Sequence, residues 1–248
     1  MAGHNKWSSI KHRKAAVDSK RGKLFTKLLK EITVAARIGG GDPDGNSRLR
    51  KALTVARTGN VPADNVDRAI KRGTGELAGV EYTEITYEGY GPGGAAVIIE
   101  TMTDNRNRTV GELRHMLAKF NGNLGEAGSV AWMFEKRGII AIEKEGTSEE
   151  AVMDQALEVG AEDVSEEDEC FEVVCDPNQV DAIADKLKET GLTVASAEAL
   201  MIPQNTVKLE GRQAESMIKL MGFIEDHDDV QNVWANFDID DELIEKLA

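Results

Sequence analysis

The spacing of apolar residues divides the chain into a helical first part and a second part in which strands alternate with helices. Between Lys20 and Ile38, apolar residues recur every three or four positions, which is the period of one helix face. Glycines 39–41 end this segment, and shorter stretches with the same period follow it. The predicted helices are Ser9–Asp18, Lys20–Ile38, Asn46 or Ser47 to Arg57, and a short helix that Pro62 opens and Gly73 ends.

After Gly75 the pattern changes to short apolar runs typical of strands, separated by amphipathic helices. The predicted strands are Thr83–Glu88, Ala95–Met102, Val130–Phe134, Ile139–Glu143, Ala161–Val164, Phe171–Cys175, Val194–Met201, Thr206–Leu209 and Val230–Asn236. The predicted helices are Asn105–Phe120, Ser148–Val159, Pro177–Thr190 and Gln213–Asp226.

This order of elements predicts an α+β multidomain protein. Residues 138–205 run strand, helix, strand, strand, helix, strand, which is the order of a ferredoxin-like split βαβ unit. We therefore expect a helical bundle over residues 1–75 and a discontinuous α+β domain over 76–135 and 206–248. A ferredoxin-like domain over 136–205 is expected to be inserted into the second domain.

Charge is distributed unevenly along the chain. A net charge of −14 would by itself argue against binding a polyanion. However, residues 1–75 hold 17 Lys and Arg against 6 acidic residues, whereas the rest holds 13 against 38. Closely spaced cations suit a phosphate backbone because they displace several counterions together. We therefore predict that the first part binds nucleic acid, either DNA or RNA, and that the acidic domains meet protein partners or solvent.

The long predicted helix carries cations on one side and apolar residues on the other. Each residue turns the helix by about 100°, so its cations fall within one arc of roughly 100°. An ordinary solvated face would mix charges of both signs, and here only Glu31 interrupts the cations. The cations are Lys20, Lys23, Lys27, Lys30 and Arg37, and the apolar residues opposite them are Leu24, Leu28 and Ile32.

Further nucleic-acid contacts are predicted before and after this helix. Trp7 lies among cations, where it either stacks on a base or anchors the N-terminal arm to its own domain. The segment Asp104–Thr109 carries two arginines where a strand meets a helix. It is either a phosphate site at the helix N-terminus or an ordinary cap with solvated arginines. The additional predicted residues are Lys6, Trp7, Lys11, His12, Arg13, Lys14, Arg21, Arg48, Lys51, Arg106 and Arg108.

The sequence offers little for catalysis or for a cofactor. Gly89, Gly91 and Gly94 fit the spacing of a dinucleotide-binding loop, but a strand follows them where that site needs a helix, so we predict a hairpin. The four histidines lack the spacing of metal ligands. We expect no enzymatic activity, no cofactor and no metal. No apolar run is long enough to span a bilayer, so a cytoplasmic protein is expected.

Several long motifs resemble the YebC/PmpR family, and the resemblance extends over the whole chain. One departure is Ala63, where the family usually has a lysine, which puts a contact at that position in doubt. The motifs are Met1–Trp7, Ile10–Ala16, Lys20–Lys23, Gly39–Pro43, Gly73–Glu76, Tyr87–Gly94 and Thr103–Thr109.

The resemblance implies a three-domain protein with a helical first domain and a ferredoxin-like insertion. Bacterial members are described as probable transcriptional regulatory proteins that bind DNA. A mitochondrial relative activates translation of a cytochrome oxidase subunit, and some bacterial members look like ribosome-associated factors. We therefore expect a DNA-binding transcriptional regulator. The alternative is a translation factor that binds rRNA or tRNA on the ribosome.

Overall fold

The computed structural model describes residues 18–167, 170–240 and 242–244, with side chains from Gly22 onward. Three helices come first: α1 Asp18–Gly39, α2 Ser47–Thr58 and α3 Ala63–Gly73. They lie within two residues of the predicted helices at each end. The helix predicted over Ser9–Asp18 lies outside the described residues, apart from Asp18 itself.

Asn46 and Gly73 fix how these helices pack into what we call the helical region, residues 18–75. The buried Asn46 side chain caps α2 by accepting the Leu49 N–H at 3.0 Å, and its amide donates to the Ala35 carbonyl at the end of α1. Gly73 lies so close to α1 that an added Cβ would stand 2.4 Å from the Thr33 carbonyl. α1 and α3 can therefore cross at this distance only because residue 73 is glycine.

The apolar face of α1 differs from the prediction at two positions. Leu24 is 46% exposed, because the apolar cluster of the helical region begins only at Phe25. Lys30, predicted on the exposed arc, is only 7% exposed. Both predictions are wrong for the same reason: the period of apolar residues identifies a helix face, but not which neighbours cover it.

A four-stranded antiparallel sheet forms the centre of what we call the α+β region, residues 76–131 and 206–240. Its strand order is β3-β1-β2-β9, and two helices pack against its apolar face. β1 and β2 form the predicted hairpin around Gly91–Gly94, with Tyr90 opposite Ala96. The elements are β1 Thr83–Tyr90, β2 Ala96–Thr103, α4 Arg106–Lys119, β3 Asn123–Leu124, β8 Val207–Lys208, α7 Gly211–Glu225, β9 Val230–Ala235 and β10 Phe237–Asp238.

Glu88 in β1 shapes the loop that leads out of this region. Its buried carboxylate accepts the backbone N–H groups of Gly128, Val130 and Ala131 at 2.7–2.8 Å. These donors cannot also pair in a strand, so the strand predicted over Val130–Phe134 is wrong and a short 3₁₀ turn stands at 131–133. Burial alone would raise the pKa of Glu88, but the three N–H donors outweigh it and hold that pKa below its usual value.

Residues 132–205 form a separate compact unit. Its four strands are antiparallel in the order β5-β6-β4-β7, and α5 and α6 pack against its apolar cluster. The elements are β4 Phe134–Glu143, α5 Glu149–Val159, β5 Asp163–Glu166, β6 Cys170–Cys175, α6 Val180–Glu189 and β7 Val194–Pro203. No helix in the described ranges is both long and apolar enough to cross a membrane.

Glu88→Gln tests the loop anchor. The amide offers one acceptor oxygen where the carboxylate accepts three N–H groups, so we expect a loss of about 1–3 kcal/mol in the free energy of unfolding at neutral pH. A carboxylate with a lowered folded pKa stabilises fully above its unfolded pKa and loses this effect as pH falls through the folded pKa. Urea unfolding should therefore show the difference between the two proteins shrinking as pH falls through and below the usual range of a glutamate carboxyl. A difference that grows in acid would contradict this assignment.

Candidate nucleic-acid interface

The buried carboxylate of Asp229, at the start of β9, is the centre of the polar contacts in this part of the molecule. Asp229 is 2% exposed. Lys30 Nζ lies 2.6 Å from its Oδ1, while Arg108 and Thr109 donate to its Oδ2 at 2.8 and 2.7 Å. Thr103 Oγ1 lies 3.2 Å from the same Oδ2. Burial alone would raise the pKa of Asp229, but these hydrogen bonds outweigh it and hold that pKa far below its usual range.

The strand-to-helix junction at Asp104–Thr109 is a capped helix start bound to this carboxylate. Asn105 Oδ1 accepts the Arg108 backbone N–H at 3.1 Å, which caps α4. The Arg108 guanidinium donates to both Asp229 and Asp104 at 2.8 Å, and these hydrogen bonds raise its pKa. Arg108 is therefore engaged within the chain although its side chain is 41% exposed, and Arg106 is exposed as well.

The predicted cationic arc of α1 meets the turn Glu225–Asp229 that follows α7. Lys23 Nζ donates to the Asp226 carbonyl at 3.0 Å, and Lys27 Nζ donates to the Glu225 carbonyl at 2.6 Å. Lys30 Nζ donates to the Asp228 carbonyl at 3.0 Å as well as to Asp229. The expectation of an exposed cation is therefore wrong at Lys30, which is buried, while Lys23 stays exposed and Lys27 half-buried with carbonyl oxygens of the same chain as partners. Whether these lysines contact nucleic acid stays a prediction.

Two arginines that the sequence also singled out form ion pairs. Arg37 lies 2.6 Å from Glu81. Arg48 donates to Glu31 and to Glu84, both at 2.7 Å, and these hydrogen bonds raise its pKa. Arg37 joins the helical region to the segment before β1, and Arg48 joins it to the start of β1. Whether they also meet nucleic acid stays a prediction.

Most of the exposed cations on α2 and α3 were not among the nucleic-acid contacts predicted from the sequence. α2 carries four cations and no acid. Arg50 and Arg57 lie seven residues apart, on the same exposed side of the helix. One guanidinium nitrogen of Arg50 donates to the Pro43 carbonyl at 3.1 Å. Within the described part of the chain, Arg57 forms no side-chain hydrogen bond or ion pair, and neither do Arg68 and Lys71 on α3. The signal available in the sequence was the absence of any acid from the segment 47–58.

Of the remaining predicted contact residues, the structure describes some and not others. Lys51 is exposed on α2. Lys20 and Arg21 belong to α1, but their side chains lie outside the described part. The other predicted residues lie wholly outside it: Lys6, Trp7, Lys11, His12, Arg13 and Lys14. Among the described residues, no cluster of His, Cys, Asp and Glu could hold a metal ion.

Comparison with known proteins identifies the family. Residues 5–76 match the TACO1/YebC N-terminal domain, and residues 82–237 match the TACO1/YebC second and third domains. This chain belongs to the TACO1/YebC family. The family boundary between the first and second domains falls in the segment that joins the helical region to β1.

Relatives within the TACO1/YebC family are similar over the full chain. A probable transcriptional regulatory protein of Geobacter sulfurreducens is 60% identical, and one of Syntrophus aciditrophicus is 56% identical, each over all of both chains. The crystal structure of a conserved hypothetical protein from Aquifex aeolicus is similar with a TM-score of 0.81 and 44% identity. That likeness covers 91% of this chain and 93% of the other.

Two single substitutions, Asp229→Ala and Lys30→Met, test the buried carboxylate when their losses of stability are compared. Removing the carboxylate leaves Lys30 buried without its ion-pair partner, and we expect a loss of about 3–5 kcal/mol in the free energy of unfolding. Lys30→Met should cost less, because Asp229 keeps Arg108, Thr109 and Thr103. Chemical unfolding at neutral pH measures both. Equal losses, or a larger loss for Lys30→Met, would contradict the central place of Asp229.

Proposed function

We propose that this protein is a non-enzymatic regulator that binds DNA through its basic helical part, residues 1–75. The observation that carries the proposal is the exposed side of α2, where Arg50 and Arg57 stand on a helix without any acid. The names of the family relatives, probable transcriptional regulatory proteins, support the same conclusion. The proposal includes the expected cytoplasmic location, where nucleic acid is within reach.

The spacing of the α2 arginines suits a phosphate backbone. Seven residues advance a helix by about 10 Å, and one strand of B-DNA presents a phosphate every ~3.4 Å along its axis. Arg50 and Arg57 can therefore reach phosphates about three nucleotides apart. Guanidinium groups bind phosphate oxygens through paired N–H donors, so arginine is favoured over lysine at such contacts. Arg68 and Lys71 on α3 supply further exposed cations.

A second candidate function is RNA binding in translation. Phosphate contacts do not distinguish DNA from RNA, and neither α2 nor α3 has the form of a recognition helix for base edges. The division of charge favours this alternative. Residues 138–205 hold 3 cations against 18 acids, so this part would avoid a polyanion and suits a basic protein partner, such as a ribosomal protein.

We also infer a three-domain organisation. The strand order β5-β6-β4-β7 with two helices on one face supports a ferredoxin-like fold for the acidic domain, predicted at 136–205. Separate apolar clusters support dividing the remainder into a helical domain, 1–75, and a discontinuous α+β domain, 76–135 and 206–248.

Charge reversal on α2 tests the proposed surface. Each lost phosphate contact lowers the salt slope of DNA binding by about 0.9, so Arg50→Glu with Arg57→Glu should reduce it by about 2 and weaken binding throughout. Both residues are exposed, so thermal melting should change little. The matched control, Arg114→Glu with Arg212→Glu, changes the charge equally at exposed positions of the α+β region. Equal binding and an equal salt slope for the two double variants would contradict the proposal.

Sedimentation separates the two candidate functions. Tagged protein from cells is run through a sucrose gradient before and after treatment with ribonuclease or deoxyribonuclease. The transcriptional role predicts that deoxyribonuclease alone shifts the protein to light fractions. Co-migration with ribosomal subunits that ribonuclease abolishes would favour the translational role instead.

A further inference from the structure

Three successive lysines of α1 are held by the turn Glu225–Asp229, and this arrangement suggests a regulatory contact. We propose that the turn occupies a nucleic-acid-binding face of α1 and must leave it before that face can contact phosphates. The inference rests on the proposed function, because it describes how part of the same basic surface is controlled.

The occupied face has the chemistry of a phosphate-binding surface. Lys23, Lys27 and Lys30 are spaced four and three residues apart, so they lie along one side of α1. Each donates to oxygen atoms of the turn at 2.6–3.0 Å. Two of these acceptors, the carbonyls of Glu225 and Asp226, stand at the C-terminal end of α7, where the helix dipole adds partial negative charge. A row of hydrogen-bond-accepting oxygens along a helix, here three carbonyls and one carboxylate, is what the phosphate oxygens of a nucleic acid would supply.

The contact is weaker at its Lys23 end than at its Lys30 end. Lys30 and Asp229 form a buried pair at 2.6 Å, with side chains 9% and 3% exposed. Lys23 and Asp226 are about half exposed and 3.7 Å apart, and exposed pairs of this kind contribute little stability. An incoming phosphate backbone can therefore displace the turn first at Lys23 and then progress toward Lys30.

Opening the last pair removes the partner of Asp229 Oδ1 but leaves the carboxylate hydrogen-bonded through Oδ2. Once Lys30 departs, the Asp229 carboxylate still accepts hydrogen bonds from Arg108, Thr109 and Thr103. The released ammonium group would gain a phosphate as its new partner. The penalty for separating a buried ion pair, which comes mainly from the orphaned charge, is therefore reduced on both sides.

The other contacts between the helical region and the α+β region are polar as well. The apolar clusters of the helical region and of the α+β region share no residue. The ion pairs Arg37–Glu81 and Arg48–Glu84 are partly exposed, and salt screens such pairs.

The joining segment, 74–81, is exposed, and Gly75 in it has a φ of +84°. An open cleft of about 800 Å³ already borders the face, lined by Lys23, Arg108 and Asp226 among others. The helical region can therefore move from the turn without exposing an apolar core.

A cross-link tests whether the turn must leave. Lys23→Cys with Asp226→Cys is made in the full chain, with Cys170→Ser and Cys175→Ala removing the native thiols. A short bismaleimide joins the two new thiols, and N-ethylmaleimide caps them in the uncross-linked control. We expect the cross-linked protein to bind a fluorescent DNA duplex about tenfold more weakly, because phosphate contacts on α1 are lost while those on α2 remain. Equal binding by the two forms would overturn the inference and leave the proposed function intact. No binding by either form would overturn both.

Charge removal from the turn gives an independent result. Asp226→Asn with Asp228→Asn removes two negative charges from the turn, including the Asp226 carboxylate that pairs with Lys23, and keeps the backbone carbonyls and Asp229. It should tighten binding of the same duplex several-fold, because the turn then competes less well with phosphates for the lysines of α1. The matched control, Glu158→Gln with Glu189→Gln, removes the same charge from exposed positions of the 132–205 unit. Equal tightening in both variants would show a general charge effect and would count against the turn as the occupant.

Discussion

The contact between the helical and α+β regions depends on one constraint: the negative charge buried at Asp229 must be compensated by hydrogen bonds. Its partners come from three separate elements, Lys30 on α1, Thr103 at the end of β2, and Arg108 with Thr109 at the start of α4. Because an unpaired charge at this depth would cost several kcal/mol, Asp229 holds β2 and α4 together through its Oδ2, and Lys30 brings α1 to its Oδ1. The motif Thr103–Thr109 is thus explained first by its contacts within the chain.

The same constraint changes how the charge of the chain relates to its function. The helical part carries an excess of cations, but many of them already have anionic partners close by. Lys23, Lys27 and Lys30 meet the turn after α7, and Arg37 and Arg48 meet nearby glutamates. The cations that remain exposed lie mainly on α2 and α3. A count of charges predicts a class of ligand, while the ion pairs within the fold decide which face is open to it.

Local structure could be predicted well from the sequence, because its causes are local. Glycines and capping residues set the ends of α1, α2 and α3, and the hairpin at Gly91–Gly94 follows from glycine between two apolar runs. Contacts between distant residues could not be predicted. Lys30 and Asp229 are 199 residues apart, and Glu88 holds a loop 40 residues away. The exposure of Leu24 and the loss of a strand at 130–134 have the same kind of cause.

Hydrogen–deuterium exchange of the full chain, with and without a DNA duplex, tests the central claim most directly. The account holds that the exposed cations of α2 and α3 contact phosphates, while the turn Glu225–Asp229 leaves α1. Bound DNA should then slow amide exchange in α2 and α3 and accelerate it in the turn. Unchanged exchange in α2 and α3, with slower exchange elsewhere in the chain, would contradict it.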